Sequence, residues 1–255
     1  MSPQRMRAAE VSDGVFLVEH GHVNSYLVAG TSDTDGLTLI DSGLPRGYQA
    51  LAATLRWLGR DFGDIRGLVL THGHFDHVGT AKRLVEEHRI PVWVHEDDRY
   101  ITRHPYSYEH ERARTRYPVE HPRSVPVLAA MAAAGALAVH GVDVSNLLQP
   151  GVAVDLPGQP IPLATPGHTA GHCGFHLADR GVLISGDALV TFDPYTAERG
   201  PRIVARAATA DSDQAMRSLA VFEETDAALV LPGHGEPWRH GIREAVDAAR
   251  VVGVA

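Results

Sequence analysis

The heptapeptide Thr71-His72-Gly73-His74-Phe75-Asp76-His77 constrains this chain more than any other feature. It follows the short apolar run Leu68-Val69-Leu70 and leads into a helical pattern over Thr80–His88. In an extended segment, residues i and i+2 point to the same side, so His72 and His74 converge on one ion. Asp76 and His77 fall where the chain turns towards the helix, in position to face a second ion nearby. Imidazole and carboxylate are ligands of zinc, and both also accept iron or manganese.

Three further segments have the same character. Thr165-Pro166-Gly167-His168-Thr169-Ala170-Gly171-His172 sets a histidine in a Gly/Pro-rich loop after a strand. Gly186-Asp187 closes the apolar run Val182–Ser185, and Pro232-Gly233-His234-Gly235 closes Ala228–Leu231. Ligands delivered from strand ends on glycine-flanked loops are what a metal cleft between layers requires, because glycine lets the backbone approach closely and turn sharply.

The rest of the chain supplies such layers. Val15–Glu19 and Asn24–Ala29 read as a hairpin, and Leu37–Ile40 reads as a strand closed by Asp41-Ser42-Gly43. Tyr48–Leu58 carries Leu51, Leu55 and Leu58 at helical spacing and stops at Gly59. Pro91–Val94 is a strand again, and this alternation indicates an α/β layered fold. Strand signals resume at Val152–Leu156, Ile161–Ala164, Gly174–Leu177 and Val182–Ser185. Helices are expected over Asp211–Glu223 and Gly241–Val252, with the strand Ala228–Leu231 between them. Arg99–Val144 breaks the rhythm and reads as an inserted lid: first Arg, Tyr, His and Glu with three prolines, then an Ala-rich helix at Val127–Val139.

Composition removes several classes. The chain has 255 residues, a formal charge of −8 and one cysteine, Cys173. One cysteine forms no internal disulfide and no Cys-rich zinc finger. The negative charge argues against a nucleic-acid partner. The apolar run Val127–Val139 is shorter than the ~20 residues a bilayer needs, and the start of the chain has no apolar signal core. The expectation is a cytoplasmic protein with a small-molecule substrate and no membrane partner; a homodimer is left open. Sixteen histidines in such a chain ask for an explanation.

Taken together, these motifs resemble the metallo-β-lactamase superfamily. The HxHxDH run, the PGHT-x-GH loop, the Gly-Asp and the late GHG stand in the family's order, from about residue 14 to 240, and Asp41-Ser42-Gly43 looks like the family's first motif. The resemblance implies one domain over residues 1–255: a four-layer αββα sandwich with the helical lid inserted at about 99–144. It implies that His72, His74 and His168 hold a first metal and that Asp76, His77 and His234 hold a second. Asp187 would bridge them, Asp41 would order the ligand loop from behind, and Asp76 would also take a proton in catalysis. Two Zn2+ ions, with Fe or Mn as alternatives, would activate a shared water.

Fold does not decide substrate. Asp187 stands where β-lactamases of the cysteine-ligand type carry Cys, which points away from them. Glyoxalase II-like enzymes continue into a glutathione-binding helical region, whereas only about twenty residues follow the GHG here. Val190 occupies the place where quorum-signal lactonases carry a tyrosine, leaving Thr191 or Tyr195 as substitutes. The resulting expectation is a hydrolase of a small ester, thioester or lactone. A mononuclear non-haem iron enzyme like the sulfur dioxygenases, or a β-lactamase-like hydrolase, is the alternative. His172 and Cys173 are expected to be packed rather than ligating, and His20 and His22 to sit on a surface turn. In the lid, Arg99, Arg103, Arg112, Arg114 and Arg116 either pair with an anionic substrate or form a solvated face. Tyr100, Tyr106, Tyr108 and Tyr117 are candidates for a pocket lining.

Overall fold

The computed structural model describes residues 7–32 and 34–255. Seven strands form the first sheet in sequential order: β1 (Arg7–Ser12), β2 (Val15–His20), β3 (Val23–Ala29), β4 (Leu37–Ile40), β5 (Ile65–Val69), β6 (Val92–Val94) and β7 (Asn146–Leu147). Neighbours are antiparallel as far as β4 and parallel from β4 to β7. The change has a covalent cause. The links from β4 to β5 and from β5 to β6 run through the helices α1 (Gly47–Trp57) and α2 (Ala81–His88), and a crossover helix returns the chain parallel to itself. The second sheet contains β8 (Ile161–Ala164), β9 (Cys173–Leu177), β10 (Val182–Gly186) and β13 (Leu229–Pro232), in the order β13-β10-β9-β8. A separate ribbon pairs β11 (Val190–Phe192) with β12 (Arg199–Arg202).

Strand periodicity sorts side chains into layers. Leu39 and Leu68 face outward onto Leu51, Leu55 and Leu84 of the first helical layer. Their neighbours Ile40 and Val69 face inward and meet Phe175, Ile184 and Leu231 of the second sheet. On the far side, Leu183 and Val230 pack against Leu219 and Phe222 of α6 (Ser212–Glu223) and Val246 of α7 (Ile242–Val252). The four-layer αββα sandwich is therefore present, and the central strands β4, β5, β10 and β13 each serve two cores.

Phe222 shows how tight the outer layer is. It is fully buried, and a Cβ on Gly174 would lie 2.4 Å from its ring. Phe222→Ala is expected to lower stability by about 3–5 kcal/mol, read as a lower urea midpoint at unchanged slope.

Some expectations are corrected. Val152–Leu156 is a loop, not a strand. Val154 and Leu156 still point into the inter-sheet core, so the alternating pattern reports burial of alternate residues without ladder pairing. The Ala-rich helix is α5 (Val125–Ala133), shorter than Val127–Val139 implied. Gly135 follows with φ +103°, a conformation that ends a helix. The strands β1, β7, β11 and β12 were not anticipated; β1 is largely exposed, and β7 is only 2 residues long. Residues 99–144 form short pieces, among them α3 (Arg99–Arg103) and α4 (Tyr117–Glu120), and lie over the ends of the sheets. Tyr106 stacks on Phe75 there, and Tyr108 packs on His74. Among the described residues no helix is long and apolar enough to cross a membrane.

Candidate metal centre

Four strand ends converge. His72 and His74 follow β5, His168 lies in the loop after β8, Asp187 directly follows β10, and His234 lies just beyond β13. All seven proposed ligand side chains are buried, Asp76 being the most exposed at 6%. Potential ligand atoms fall within 4.8 Å of one another in three groups: His72, His74 and His168; His72, His77 and Asp187; Asp76, His77 and His234. Asp187 Oδ2 lies 3.6 Å from His168 Nε2 and 3.2 Å from His234 Nε2, and its Oδ1 lies 3.5 Å from His77 Nε2. Asp76 Oδ2 lies 3.4 Å from His234 Nε2. Gly233 permits this approach, since a Cβ there would come within 2.1 Å of Asp187 Oδ1.

The outer nitrogens of these rings are held from behind. His77 Nδ1 lies 2.8 Å from Asp41 Oδ2. The same carboxylate accepts the Thr71 backbone N–H and hydroxyl, both at 2.8 Å. Thr71 Oγ1 in turn lies 2.9 Å from His72 Nδ1. If the hydroxyl donates to Asp41, His72 Nδ1–H must donate to the hydroxyl, which turns a bare Nε2 inward. Asp41 adopts φ +56°, a strained conformation for a residue with a side chain. His168 Nδ1 lies 3.3 Å from Thr209 Oγ1. His234 Nδ1 donates to the His22 carbonyl at 2.7 Å. That carbonyl is placed by the hairpin between β2 and β3. Gly21 and His22 have φ +65° and +66°, the two positive values of a type I′ turn.

Two residues lock the loops together. Asp98, fully buried, accepts from Gly73 N at 2.9 Å, Thr169 Oγ1 at 2.8 Å and Gly171 N at 2.7 Å. It thereby ties the HxH segment to the His168 loop. Burial pushes its carboxyl up to about 6 against these three donors, so it is charged at neutral pH. His172 bonds Thr165 through Nδ1, and its Nε2 accepts from Asp187 N at 3.0 Å and Ala188 N at 3.2 Å. It is a strut for the Asp187 loop, as expected, and not a member of any ligand group. Cys173 is buried, and burial raises its thiol to about 12, so it is inert. The roles of Asp98 and of the His22 carbonyl were missed. Asp98 stands in an acidic run, Glu96-Asp97-Asp98, where nothing local separates it from its neighbours. A backbone carbonyl carries no signal of its own.

The electrostatics describe a site built for cations. Burial, helped by neighbouring rings, holds His72, His74 and His172 far below the ordinary imidazole value. It takes His168 to about 4. These rings are therefore neutral. Burial opposes charge on His77 and His234 as well, but Asp187 outweighs it, with Asp41 or Asp76; His77 stays well above its usual range and His234 rises to about 10. Burial likewise opposes charge on Asp187, yet His234 and His77 hold it well below the carboxylate range. Among the described residues seven buried side-chain polar atoms lack a hydrogen-bond partner, and four are His72 Nε2, His74 Nε2, His77 Nε2 and Asp187 Oδ1. An unpaired buried polar atom costs about 1–3 kcal/mol. His72 Nε2, His77 Nε2 and Asp187 Oδ1, whose residues form one ligand group, fit cation binding, as does the approach of His74 Nδ1 to 3.0 Å from His168 Nε2.

The family model of the metallo-beta-lactamase superfamily matches residues 18–234. The chain belongs to this superfamily. Among metallo-beta-lactamase superfamily relatives it is 27% identical over 244 residues to a probable metallo-hydrolase, YflN, of Bacillus subtilis strain 168, an alignment covering 89% of this chain and 86% of that one. The crystal structure of the metallo-beta-lactamase family protein TTHA1429 from Thermus thermophilus superposes with a TM-score of 0.66 at 25% identity, over 93% of this chain and 78% of that one. TTHA1623, solved in a di-iron-bound form, gives a TM-score of 0.61 at 25% identity, over 90% of this chain and 94% of that one. As a superfamily member with a buried His/Asp cluster suited to metal, the chain has the character of an enzyme.

Proposed function

We propose that the cleft is the centre of a binuclear metal-dependent hydrolase acting on a small ester, thioester or lactone. The observation that carries this reading is Asp187, whose Oδ2 reaches His168 Nε2 on one side and His234 Nε2 on the other. His72, His74 and His168 would hold one metal, Asp76, His77 and His234 the other, and Asp187 would bridge them. A metal pair held there would supply a water of lowered pKa and an electrophile for the substrate carbonyl.

The chain's own residues do the rest. Asp41, Thr71 and the His22 carbonyl fix ring orientation, so the inward nitrogens of His72, His77 and His234 are aligned for a metal that would displace the proton from His77 and His234. Asp76 would take a proton as water is activated. Burial of all seven side chains excludes bulk water and strengthens every charge interaction at the site.

An all-nitrogen and oxygen donor set accepts zinc, iron or manganese, and zinc is our first choice. The di-iron form of TTHA1623 makes iron the alternative. Metal quantification on purified protein, with a panel of lactone, thioester, phosphodiester and β-lactam substrates, tests the reading. Two metal equivalents with lactone or thioester turnover are expected. One iron per chain with sulfide-dependent oxygen uptake would replace the hydrolase by a dioxygenase.

A further inference from the structure

The lid offers five arginines and four tyrosines, and the structure separates them. Arg99 pairs with Glu96, Arg103 with Asp143 and Arg112 with Glu120. Arg116 is exposed. Arg114 is half-buried and has no carboxylate partner among the described residues. Of the tyrosines, Tyr100 is 63% exposed. Tyr106 donates to the Ala136 carbonyl at 2.8 Å, and Tyr117 donates to the Ala255 carbonyl at 3.3 Å. Tyr108 is buried; its hydroxyl is turned towards that of Tyr195 but makes no well-formed hydrogen bond.

These two residues stand together over the cleft. The Tyr108 ring centroid lies 3.7 Å from that of His74, and the Arg114 guanidinium carbon lies 4.3 Å from the Tyr108 ring centroid. A phenol hydroxyl is a hydrogen-bond donor at neutral pH. A buried donor without a well-formed hydrogen bond, packed on His74, and a half-buried cation without a carboxylate partner beside it are complementary to a group with a polar oxygen and a negative charge.

We propose that Tyr108 and Arg114 are the substrate-recognition pair of this cleft: Arg114 pairs with a carboxylate carried by the substrate, and the Tyr108 hydroxyl donates a hydrogen bond to the oxygen of the scissile carbonyl. The role in hydrolysis rests on the proposed function above. A cavity of about 560 Å3 reaches His168 beside Tyr108, and its wall carries Asp97, Asp98, Glu109 and Asp211 but not Arg114. Those carboxylates disfavour a highly charged anion, so a single substrate carboxylate would lie outside this wall, on Arg114.

The test compares p-nitrophenyl acetate with mono-p-nitrophenyl glutarate on wild type, Arg114→Gln, Arg114→Lys and Tyr108→Phe, with metal content measured on each. Wild type should prefer the glutarate ester. Arg114→Gln should raise KM for that ester alone by roughly tenfold to a hundredfold, with Arg114→Lys recovering part of the loss. Tyr108→Phe should lower kcat on both esters, on the order of 10²-fold, at unchanged metal content. Calorimetric binding of glutarate gives a readout without turnover: Arg114→Gln should weaken it by about tenfold or more. Equal binding by wild type and Arg114→Gln, or equal losses on both esters, would overturn the assignment of Arg114. An unaltered kcat in Tyr108→Phe would overturn that of Tyr108. Weakened glutarate binding in a protein that hydrolyses neither ester would keep Arg114 and remove the hydrolase reading.

Discussion

Asp187→Ala is expected to abolish turnover by about 10³-fold or more and to leave the protein with at most one metal equivalent. The magnitude follows from the position. Among the described residues, Asp187 is the one carboxylate in contact range of His77, His168 and His234 at once. Its loss removes a ligand from both proposed sets and leaves the facing nitrogens without a counter-charge in a buried pocket. Metal analysis alongside kinetics separates the outcomes: two tightly held metals in the variant would end the bridging assignment. The metal-free protein provides a second readout. His234 is raised from 6.5 to about 10, so its contribution to stability is full below pH 6.5 and is lost as pH rises through 10. Without Asp187, Asp76 alone remains to oppose burial at that ring, and the fall in stability over this alkaline window should flatten. Thermal unfolding from pH 6 to 10 measures it.

Asp41→Ala is the second large effect, and it acts without touching a metal. The change leaves the Thr71 N–H, the Thr71 hydroxyl and His77 Nδ1 without their shared acceptor. Each buried donor left unpaired costs about 1–3 kcal/mol, partly offset by release of the strained φ of +56° only if the replacement tolerates that backbone better than Asp does. Alanine does not, so a net loss of several kcal/mol is expected in urea unfolding. Metal affinity should fall about 10–100-fold, because Asp41 orients His77 directly and His72 through Thr71. Asp41→Asn should recover part of the stability, since Asn tolerates positive φ and its carbonyl accepts one of these donors. It should recover less of the metal affinity, since the negative charge behind His77 is gone. Equal metal affinity in wild type and Asp41→Ala would show that ring orientation does not depend on this carboxylate.

The candidate ligand set was legible in the sequence because its determinants are local. His72 and His74 announce themselves by the i, i+2 repeat of an extended segment, and His168, Asp187 and His234 each close an apolar run on a glycine-flanked loop. The layers were legible for the same reason, since strand and helix periods are short. The misreading of Val152–Leu156 marks the limit of that logic: alternation records which residues are buried, and only a neighbouring strand makes a ladder. The residues that steady the site carry no such mark. The His22 carbonyl and His234 are 212 positions apart, and Asp98 binds a loop 25 positions before it and another 73 after it.

By itself, then, the sequence determined the family, the order of the layers and the identity of seven candidate ligands. Each of these is written in the short-range spacing of residue types. Only the tertiary structure decided which of five lid arginines is half-buried without a carboxylate partner among the described residues, which of four tyrosines buries a hydroxyl that makes no well-formed hydrogen bond, and which acid of Glu96-Asp97-Asp98 ties two candidate ligand loops. Those are facts about hydrogen-bond satisfaction between distant segments. They come into being when packing removes water from a polar group and its partner must be supplied by another part of the chain.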